Sequence, residues 1–235
     1  MTGRRCGIVA AAAGLLFAAL AALLASRAWA PFGFEQSAID WCAAHRPTVA
    51  RLAALAVTSL GTGAVPYALA LAAGGVTLRA VPGPRSRRTA AVVLLAPVAW
   101  LAVGQLVRQG LMHAFGRPRP PEADWATVAS GFSFPSGHTF TSAVSAGLLA
   151  LAIVRVRPAL ARPAVAGAAL FAAAVGLSRV YLCVHWPLDI LGGWLLAAGW
   201  LALAVPAAAL GGYPPRRSTV AAAPQEGPPR PQQDA

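Results

Sequence analysis

The sequence has no lysine and little charge of either sign. All 19 basic residues are arginines, and charged residues make up 11% of the 235-residue chain, against about 25% in an ordinary soluble domain. Hydrophobic residues make up 57%, and the mean hydropathy is +0.62. This composition argues against a soluble enzyme and excludes disorder for most of the chain. We therefore expect an integral membrane protein.

The patterns of fibrous proteins and of metal or disulfide scaffolds are also missing. There is no Gly-X-Y period and no sustained heptad pattern, which excludes collagen and coiled coil. Cys6, Cys42 and Cys183 lack metal-ligand spacing and are too few for a disulfide scaffold, so we interpret them as small buried side chains. A bridge between Cys42 and Cys183 requires that both lie on an oxidising face.

Six apolar runs are long enough to cross a membrane. They lie near residues 7–26, 52–78, 89–107, 138–156, 163–183 and 188–209. We predict an all-α bundle of six transmembrane helices over residues 1–210, followed by a disordered, proline-rich cytoplasmic tail over 211–235. In the second run, Gly61, Gly63 and Pro66 predict a kink or an early start. Residues 1–30 also resemble a signal peptide, but the apolar run is long for one, so we favour an uncleaved first span.

The arginines lie between the apolar runs and form no stripe beside aromatic residues. The net charge of +12 therefore indicates membrane topology and not a nucleic-acid partner. An inside N-terminus places twelve arginines in inner segments: Arg4, Arg5, Arg79, Arg85, Arg87, Arg88, Arg155, Arg157, Arg162, Arg216, Arg217 and Arg230. We predict a multi-pass plasma-membrane protein with both termini cytoplasmic. Between spans one and two, Trp29, Trp41 and Glu35 belong to a segment typical of an interfacial anchor helix.

Three polar clusters interrupt the apolar sequence, each at the outer end of a predicted span. The first is Phe-Gly-Arg-Pro-Arg-Pro at 115–120, the second is Phe-Pro-Ser-Gly-His at 134–138, and the third runs from Ser178 to Asp189. Because all three lie on one side of the membrane in this topology, they can converge on one site.

In the third cluster, Pro187 suits the first position of a helix. His185 then lies just before the helix, and Asp189 lies in its first turn, where it can reach the imidazole. A carboxylate on one ring nitrogen fixes the tautomer and leaves the other nitrogen as a nucleophile. The alternative is a polar pair that only satisfies the helix start.

In the second cluster, Ser136 can cap the helix of span four, and Gly137 lets an anion approach the backbone N–H groups. His138, in the first turn, can donate a proton to a leaving oxygen. The alternative is that this string is only a helix cap. From the other clusters, Arg119 and Arg179 have the guanidinium forks that match phosphate oxygens.

These residues together predict phosphoryl transfer through a phosphohistidine. His185 attacks phosphorus, Asp189 orients it, and His138 protonates the leaving group and then activates water. The predicted phosphate ligands are Arg119, Ser136, Gly137 and Arg179. A metal site of His138, His185 and Asp189 is the competing interpretation, but two arginines in one pocket repel a cation, so we expect no metal and no cofactor. Near a membrane an arginine can also extend to the lipid head groups, which is the role we expect of Arg117.

The three clusters resemble the signature motifs of the type 2 phosphatidic acid phosphatase (PAP2) family, also called lipid phosphate phosphatases. The matching residues are Arg-Pro at 119–120, Pro-Ser-Gly-His at 135–138, and Ser-Arg-x5-His-x3-Asp over 178–189. The resemblance implies a six-span bundle, metal-independent hydrolysis of lipid phosphate or diphosphate esters, an active site facing outside, and a site architecture similar to that of vanadium haloperoxidases.

One position departs from the family pattern, which has Lys seven residues before the Arg of Arg-Pro. Here that position is Met112, and a thioether does not supply the missing positive charge. His113, Arg108 and Arg117 are candidates to compensate. Arg108 is our first choice, because it is the same-face neighbour of Met112 on a helix.

The leading functional hypothesis is a lipid phosphatase for polyprenyl diphosphate, phosphatidic acid or phosphatidylglycerophosphate. The alternatives are a phosphotransferase, in which an alcohol replaces water, and a lipid-phosphate-binding protein without turnover, which Met112 motivates. A transporter is disfavoured because the predicted spans hold no acidic residue except Asp189, at an end. The sequence leaves the oligomeric state open.

Overall fold

The computed structural model describes residues 3–80, 83–84 and 86–210, with side chains as far as residue 205. This part of the chain folds entirely into helices and loops, with no strand. The α-helices are α1 (Gly3–Ala25), α2 (Gly33–Ala44), α3 (Thr48–Ser59), α4 (Ala64–Ala80), α5 (Arg87–Phe115), α6 (Gly137–Val156), α7 (Ala161–Tyr181) and α8 (Pro187–Leu210). Short 3-10 turns lie at Glu122–Asp124 and Pro158–Leu160. The predicted tail over 211–235 lies outside the described residues.

The helices confirm the prediction of an all-α, multi-pass membrane protein. Five spans are long and apolar enough to cross a membrane, namely α1, α5, α6, α8, and α7 with its preceding turn. Helices α3 and α4 supply a sixth when taken together as one broken span, bent by 46°. The predicted kink in the second run is therefore confirmed, and it falls in the break between α3 and α4. There Gly63 has a φ of +64°, which glycine adopts without steric strain.

Helix α5 is longer than the apolar run that predicts it. The run was expected to end near residue 107, but the helix continues to Phe115 and stops at Gly116, which has a φ of 65° and donates its N–H to Met112 O. The extra two turns are polar enough to be lost in a hydropathy scan. They carry Arg108 and Met112 to the end of the bundle where the polar clusters lie.

Helix α6 forms the centre of the bundle, and its buried face follows helical spacing. Phe140, Val144 and Leu148 pack with residues of α4, α5 and α8 in the main apolar cluster. Between membrane helices, van der Waals packing replaces the hydrophobic effect as the main attraction, so small residues at the contacts are favourable. Gly74 of α4 shows this, since a Cβ there would collide with the backbone of Leu94 in α5.

Helix α2 matches the predicted interfacial segment in position and in part of its exposure. Phe34 and Trp41 are 56% and 57% exposed, as expected of an aromatic anchor. The opposite face carries Glu35, Ile39 and Cys42, all buried and spaced by about one turn. A carboxylate on the inward face is not what an anchor needs, and its partners lie in the site described next.

Candidate active site

The three polar clusters meet at one end of the bundle, as predicted. The N–H of Ser133, the residue just before the second cluster, donates to Arg117 O of the first cluster at 2.8 Å. The Ser136 N–H donates to Asp189 O at 3.1 Å, which joins the second cluster to the third. Main-chain hydrogen bonds therefore fix the relative positions of segments far apart in the chain.

His185 and Asp189 lie in the predicted arrangement. Helix α8 begins at Pro187, His185 precedes it, and the His185 Nδ1 lies 3.3 Å from Asp189 Oδ2. Both side chains are buried. Burial, followed by the positive charges of Arg119 and Arg179, lowers the pKa of His185 well below its ordinary value. This shift favours the neutral ring, which is the nucleophilic form.

Arg119 makes an unusually complete set of hydrogen bonds. Its Nε donates to Gly131 O at 2.9 Å and its Nη2 donates to Ser130 O and Phe132 O at 2.8 and 3.0 Å. Its Nη1 donates to a carbonyl of the third cluster at 2.6 Å and lies 3.0 Å from His185 Nε2. All five guanidinium N–H groups thus have protein acceptors. Burial lowers the pKa of Arg119, the charge of Asp189 opposes this, and Arg108 adds to it.

Ser136 occupies the N-cap position of α6, but its side chain does not cap the helix. The buried Ser136 hydroxyl instead accepts from Thr139 Oγ1 at 3.0 Å. The prediction that the Ser136 side chain caps the helix is therefore wrong, because its oxygen accepts a hydrogen bond from a neighbouring hydroxyl instead. Gly137 and His138 follow in the first turn, where the backbone N–H groups of a helix lack intrahelical acceptors. An anion at this position would find those groups available.

Two more arginines lie near the site, and the positive charge of each acts on His185. Arg179, only 3% exposed, donates from Nη1 to Thr58 Oγ1 at 3.0 Å. Arg108 lies so close to α6 that a Cβ at Gly137 would be 3.3 Å from its Cζ. Its Nη1 is 3.3 Å from the sulfur of Met112. The Nε atoms of both arginines are buried and have no hydrogen-bond partner among the described residues.

Arg117 contradicts the expectation that it extends to the lipid head groups. Its side chain is fully buried and forms ion pairs of 2.7 Å with both Glu35 and Asp189. The two carboxylates compensate the cost of burying the charge, which a lone arginine could not bear. Glu35 is correspondingly an interior residue and not part of an interfacial surface. The residues next to Arg117 in the sequence do not indicate which way its side chain points, so the ion pairs with Glu35 and Asp189 could not be predicted from the sequence.

Charge at the site is strongly unbalanced. Within the described part of the chain, Arg108, Arg119 and Arg179 form no ion pair, since the two nearby carboxylates are engaged by Arg117 and His185. No three His, Cys, Asp or Glu side chains of the described residues are grouped so as to hold a metal ion. Arg108, Arg119 and Arg179 all act electrostatically on His185, and an anion bound between them would offset their mutual repulsion.

Comparison with known proteins places this site in context. The family model of the PAP2 superfamily matches residues 93–209. A phosphatidylglycerophosphatase B of Bacillus subtilis is 37% identical over 39% of this chain and 46% of its own, and an undecaprenyl-diphosphatase of Sulfolobus acidocaldarius is 37% identical over 30% of each. The matches thus span less than half the length of these curated relatives.

A solved structure is similar over nearly the whole fold. It is the crystal structure of a transmembrane PAP2-type phosphatidylglycerophosphate phosphatase from Bacillus subtilis, with a TM-score of 0.70 and 25% sequence identity. The similarity covers 86% of this chain and 96% of the other. The structural similarity therefore covers more of the chain than residues 93–209, which the family model matches.

Proposed function

Because this chain belongs to the PAP2 superfamily, we propose that it is a membrane-embedded lipid phosphatase working through a phosphohistidine on His185. The observation that carries the proposal is the unbalanced charge of the site. The charges of Arg108, Arg119 and Arg179 all act on His185, and none of the three forms an ion pair with a carboxylate of the described residues. A phosphate group supplies the negative charge that all three arginines lack, and acceptor oxygens for the Nε atoms of Arg108 and Arg179, which have no partner among the described residues.

In the first step, His185 Nε2 attacks phosphorus and the bond from phosphorus to the leaving oxygen breaks. Asp189 holds the Nδ1 proton and stabilises the positive charge that develops on the ring. His138 gives its proton to the leaving oxygen, which departs as a lipid alcohol or, from a diphosphate, as a lipid monophosphate. Arg119 Nη1 lies 3.0 Å from Nε2, so an oxygen of the attached phosphoryl group falls within its reach.

In the second step, a water molecule attacks the phosphohistidine. His138, now neutral, takes a proton from the water, the N–P bond breaks, and inorganic phosphate leaves. The equatorial oxygens are held by Arg179, by Ser136 and by the Gly137 N–H in this proposal. The Nε atoms of Arg179 and Arg108, which have no partner among the described residues, are additional donors that a phosphate oxygen would satisfy.

We assign to Arg108 the positive charge that Met112 lacks. The other two candidates are placed elsewhere, since Arg117 is held by two carboxylates and the exposed His113 packs edge-on against Phe132. Arg108 reaches the site from one turn earlier on α5 and lies against both Met112 and the start of α6. The charge is thus retained at the site although the residue that carries it differs.

The substrate class follows from where the site lies. The polar clusters are at one end of a bundle of membrane helices, where the phosphate of a lipid lies at the interface and its tail in the membrane. The two curated relatives are named for phosphatidylglycerophosphate and undecaprenyl diphosphate, and phosphatidic acid has the same design. We assign the site to the outer face of the plasma membrane, because Arg79, Arg87, Arg155 and Arg162 lie at the opposite helix ends.

The test is release of inorganic phosphate by purified protein in detergent, with a chelator present, from each of these three lipids. We expect turnover that survives chelation, is abolished in His185→Ala and is retained in His45→Ala, the matched control outside the site. Loss of activity with the chelator would contradict the metal-free mechanism. Phosphate transfer to an added alcohol would indicate a phosphotransferase, and binding without turnover would indicate a lipid-phosphate-binding protein.

A further inference from the structure

We infer that Glu35 and Arg117 are positioning residues that fix Asp189 and, through it, the ring of His185. This inference deepens the proposed function and rests on it. Neither residue touches the predicted phosphate position. Both are fully buried, and they link the interfacial helix α2 to the start of α8 through the carboxylate that orients the nucleophile.

The fork of Arg117 joins two carboxylates. Its Nη1 donates to Asp189 Oδ1 and its Nη2 donates to Glu35 Oε2, both at 2.7 Å. The short distances are those of charge-assisted hydrogen bonds. A planar guanidinium with fixed donor directions holds both carboxylates at a set separation, which the single ammonium of a lysine does not.

Glu35 fixes this fork to two other parts of the chain. Its Oε2 also accepts from the Phe32 N–H at 3.0 Å, at the start of α2. Its Oε1 accepts from the Leu188 N–H at 3.1 Å, in the first turn of α8. Glu35 therefore satisfies one of the free N–H groups at the start of the helix that carries Asp189. Any movement of this side chain changes the position of the Arg117 fork and of the α8 start together.

Asp189 has no freedom while these contacts persist. Its Oδ2 faces His185 Nδ1 at 3.3 Å and accepts from the Trp186 N–H at 2.8 Å. Its Oδ1 is held by Arg117, the charged partner that comes from outside the 185–189 segment, and the Ser133 hydroxyl is a further, uncharged partner of the carboxylate. Without Arg117, Oδ1 is left buried without its charged partner, which is energetically unfavourable, so the carboxylate is expected to rotate toward another donor.

Rotation of Asp189 would release the tautomer of His185. In the present arrangement Nδ1 faces a carboxylate, so it carries the proton, and Nε2 faces an Arg119 donor, so it is the acceptor. That is the tautomer whose Nε2 lone pair can attack phosphorus once the Arg119 N–H turns to a phosphate oxygen. A ring that has lost the carboxylate can exchange to the other tautomer, in which Nε2 bears a proton and cannot attack phosphorus.

The kinetic test uses the full-length protein with the lipid phosphate that it hydrolyses best. We expect Glu35→Gln and Arg117→Met to lower kcat by about 10- to 100-fold, as misplacement of a reacting group does, while KM changes by less than about threefold. Arg117→Lys should give an intermediate kcat, since one ammonium replaces part of the fork. The matched controls are Glu122→Gln and Arg51→Met, both exposed, which should keep the wild-type kcat.

A spectroscopic measurement tests the inference without turnover. In protein labelled with [15N]histidine, the chain's four histidines are assigned by single substitutions. We expect wild-type His185 to show a protonated Nδ1 and an unprotonated Nε2. The same signals in Glu35→Gln and Arg117→Lys should shift toward a mixture of tautomers. These two conservative variants keep the test decisive if Arg117→Met fails to fold.

The two measurements separate this inference from the proposed function. Suppose that the wild-type protein releases phosphate, and that Glu35→Gln and Arg117→Lys have the same kcat and the same His185 spectrum as the wild type. That result would overturn the inference and leave the phosphatase proposal standing. A wild-type protein that releases no phosphate, but whose His185 tautomer depends on Glu35 and Arg117, would overturn the function and support the inference. A rise in KM without loss of kcat would also overturn it, since such a change indicates a binding role.

Discussion

Replacing Arg108 by Ala should lower kcat/KM for lipid phosphate by about 10- to 150-fold. The magnitude follows from one charge-assisted hydrogen bond, which contributes about 1.5–3 kcal/mol, at about 1.4 kcal/mol for each factor of ten in rate. Arg108 can make such a bond, because its Nε is unpartnered among the described residues and its Cζ would lie 3.3 Å from a Cβ at Gly137. A phosphate at the start of α6 would therefore contact it.

The stronger form of this prediction is a charge exchange along one helix face. Met112 is 8% exposed and its sulfur lies 3.3 Å from Arg108 Nη1, so a lysine at 112 would reach the space that the guanidinium occupies. We expect the double variant Arg108→Ala/Met112→Lys to recover at least about tenfold of the lost kcat/KM, which is about 1.4 kcal/mol. Met112→Leu conserves volume without adding charge and should stay near wild type.

The assay is initial-rate phosphate release in mixed micelles at a fixed surface fraction of lipid phosphate, with folding checked by circular dichroism. A wild-type kcat/KM in Arg108→Ala would refute the assignment of this charge to the transferred phosphate. A double variant that is no better than Arg108→Ala would show that position 112 does not reach the same space.

Three further predictions concern pH, packing and the broken span. The folded chain holds the pKa of His185 well below its ordinary value. Between that folded pKa and about 6.5, the unfolded chain therefore binds a proton at His185 and the folded chain does not. The free energy of unfolding should accordingly decrease as the pH is lowered below about 6.5. Denaturant titration at pH 7.5 and 5.5 should show a smaller fall in His185→Gln, and equal falls would contradict this. A Cβ at Gly193 would lie 3.0 Å from a carbonyl oxygen of the loop before α6. Gly193→Ala should therefore lower the free energy of unfolding by about 1–3 kcal/mol, measured by thermal or chemical unfolding. Gly167→Ala, with no atom within 4 Å of its Cβ, should leave the free energy of unfolding unchanged. Equal decreases in the two variants would disprove the packing argument. Thr58→Val removes the acceptor 3.0 Å from Arg179 Nη1 and should lower kcat/KM by about 3- to 30-fold, the equivalent of a lost hydrogen bond of about 0.7–2 kcal/mol. Thr58→Ser keeps the hydroxyl and should retain the wild-type kcat/KM. A wild-type kcat/KM in Thr58→Val would show that the hydrogen bond from Arg179 to this end of α3 does not contribute to activity.

The local chemistry of each cluster could be predicted because it depends on neighbours in sequence. Pro187 begins a helix, which places Asp189 in its first turn and His185 just before it, and the preference of proline for a helix start predicts that relation. The six apolar runs likewise indicated the spans, since a membrane core requires continuous hydrophobic length. Positive charge between the runs indicated one side for all three clusters, and the structure brings them to one end of the bundle.

Contacts between distant segments could not be predicted in the same way. The side chain of Arg117 points inward to Glu35, 82 residues earlier, and Asp189, 72 residues later, although the sequence suggested that it extends to the head groups. The Ser136 hydroxyl bonds Thr139 and not the helix N–H groups. The partner of Arg179, Thr58, lies at the end of α3, beside the break in the second span, and only the fold brings these two together.

The sequence by itself determined the membrane class, the spans and the identities of the residues that carry the proposed chemistry. Composition and helical period are properties of short windows, so they survive without knowledge of the fold. Tertiary structure decided which arginine is neutralised and which remain unpaired near the proposed phosphate position, because that depends on which carboxylates the packed helices bring within hydrogen-bond distance. Arg117 has two such carboxylates, whereas Arg108 has none within the described chain and faces the start of α6.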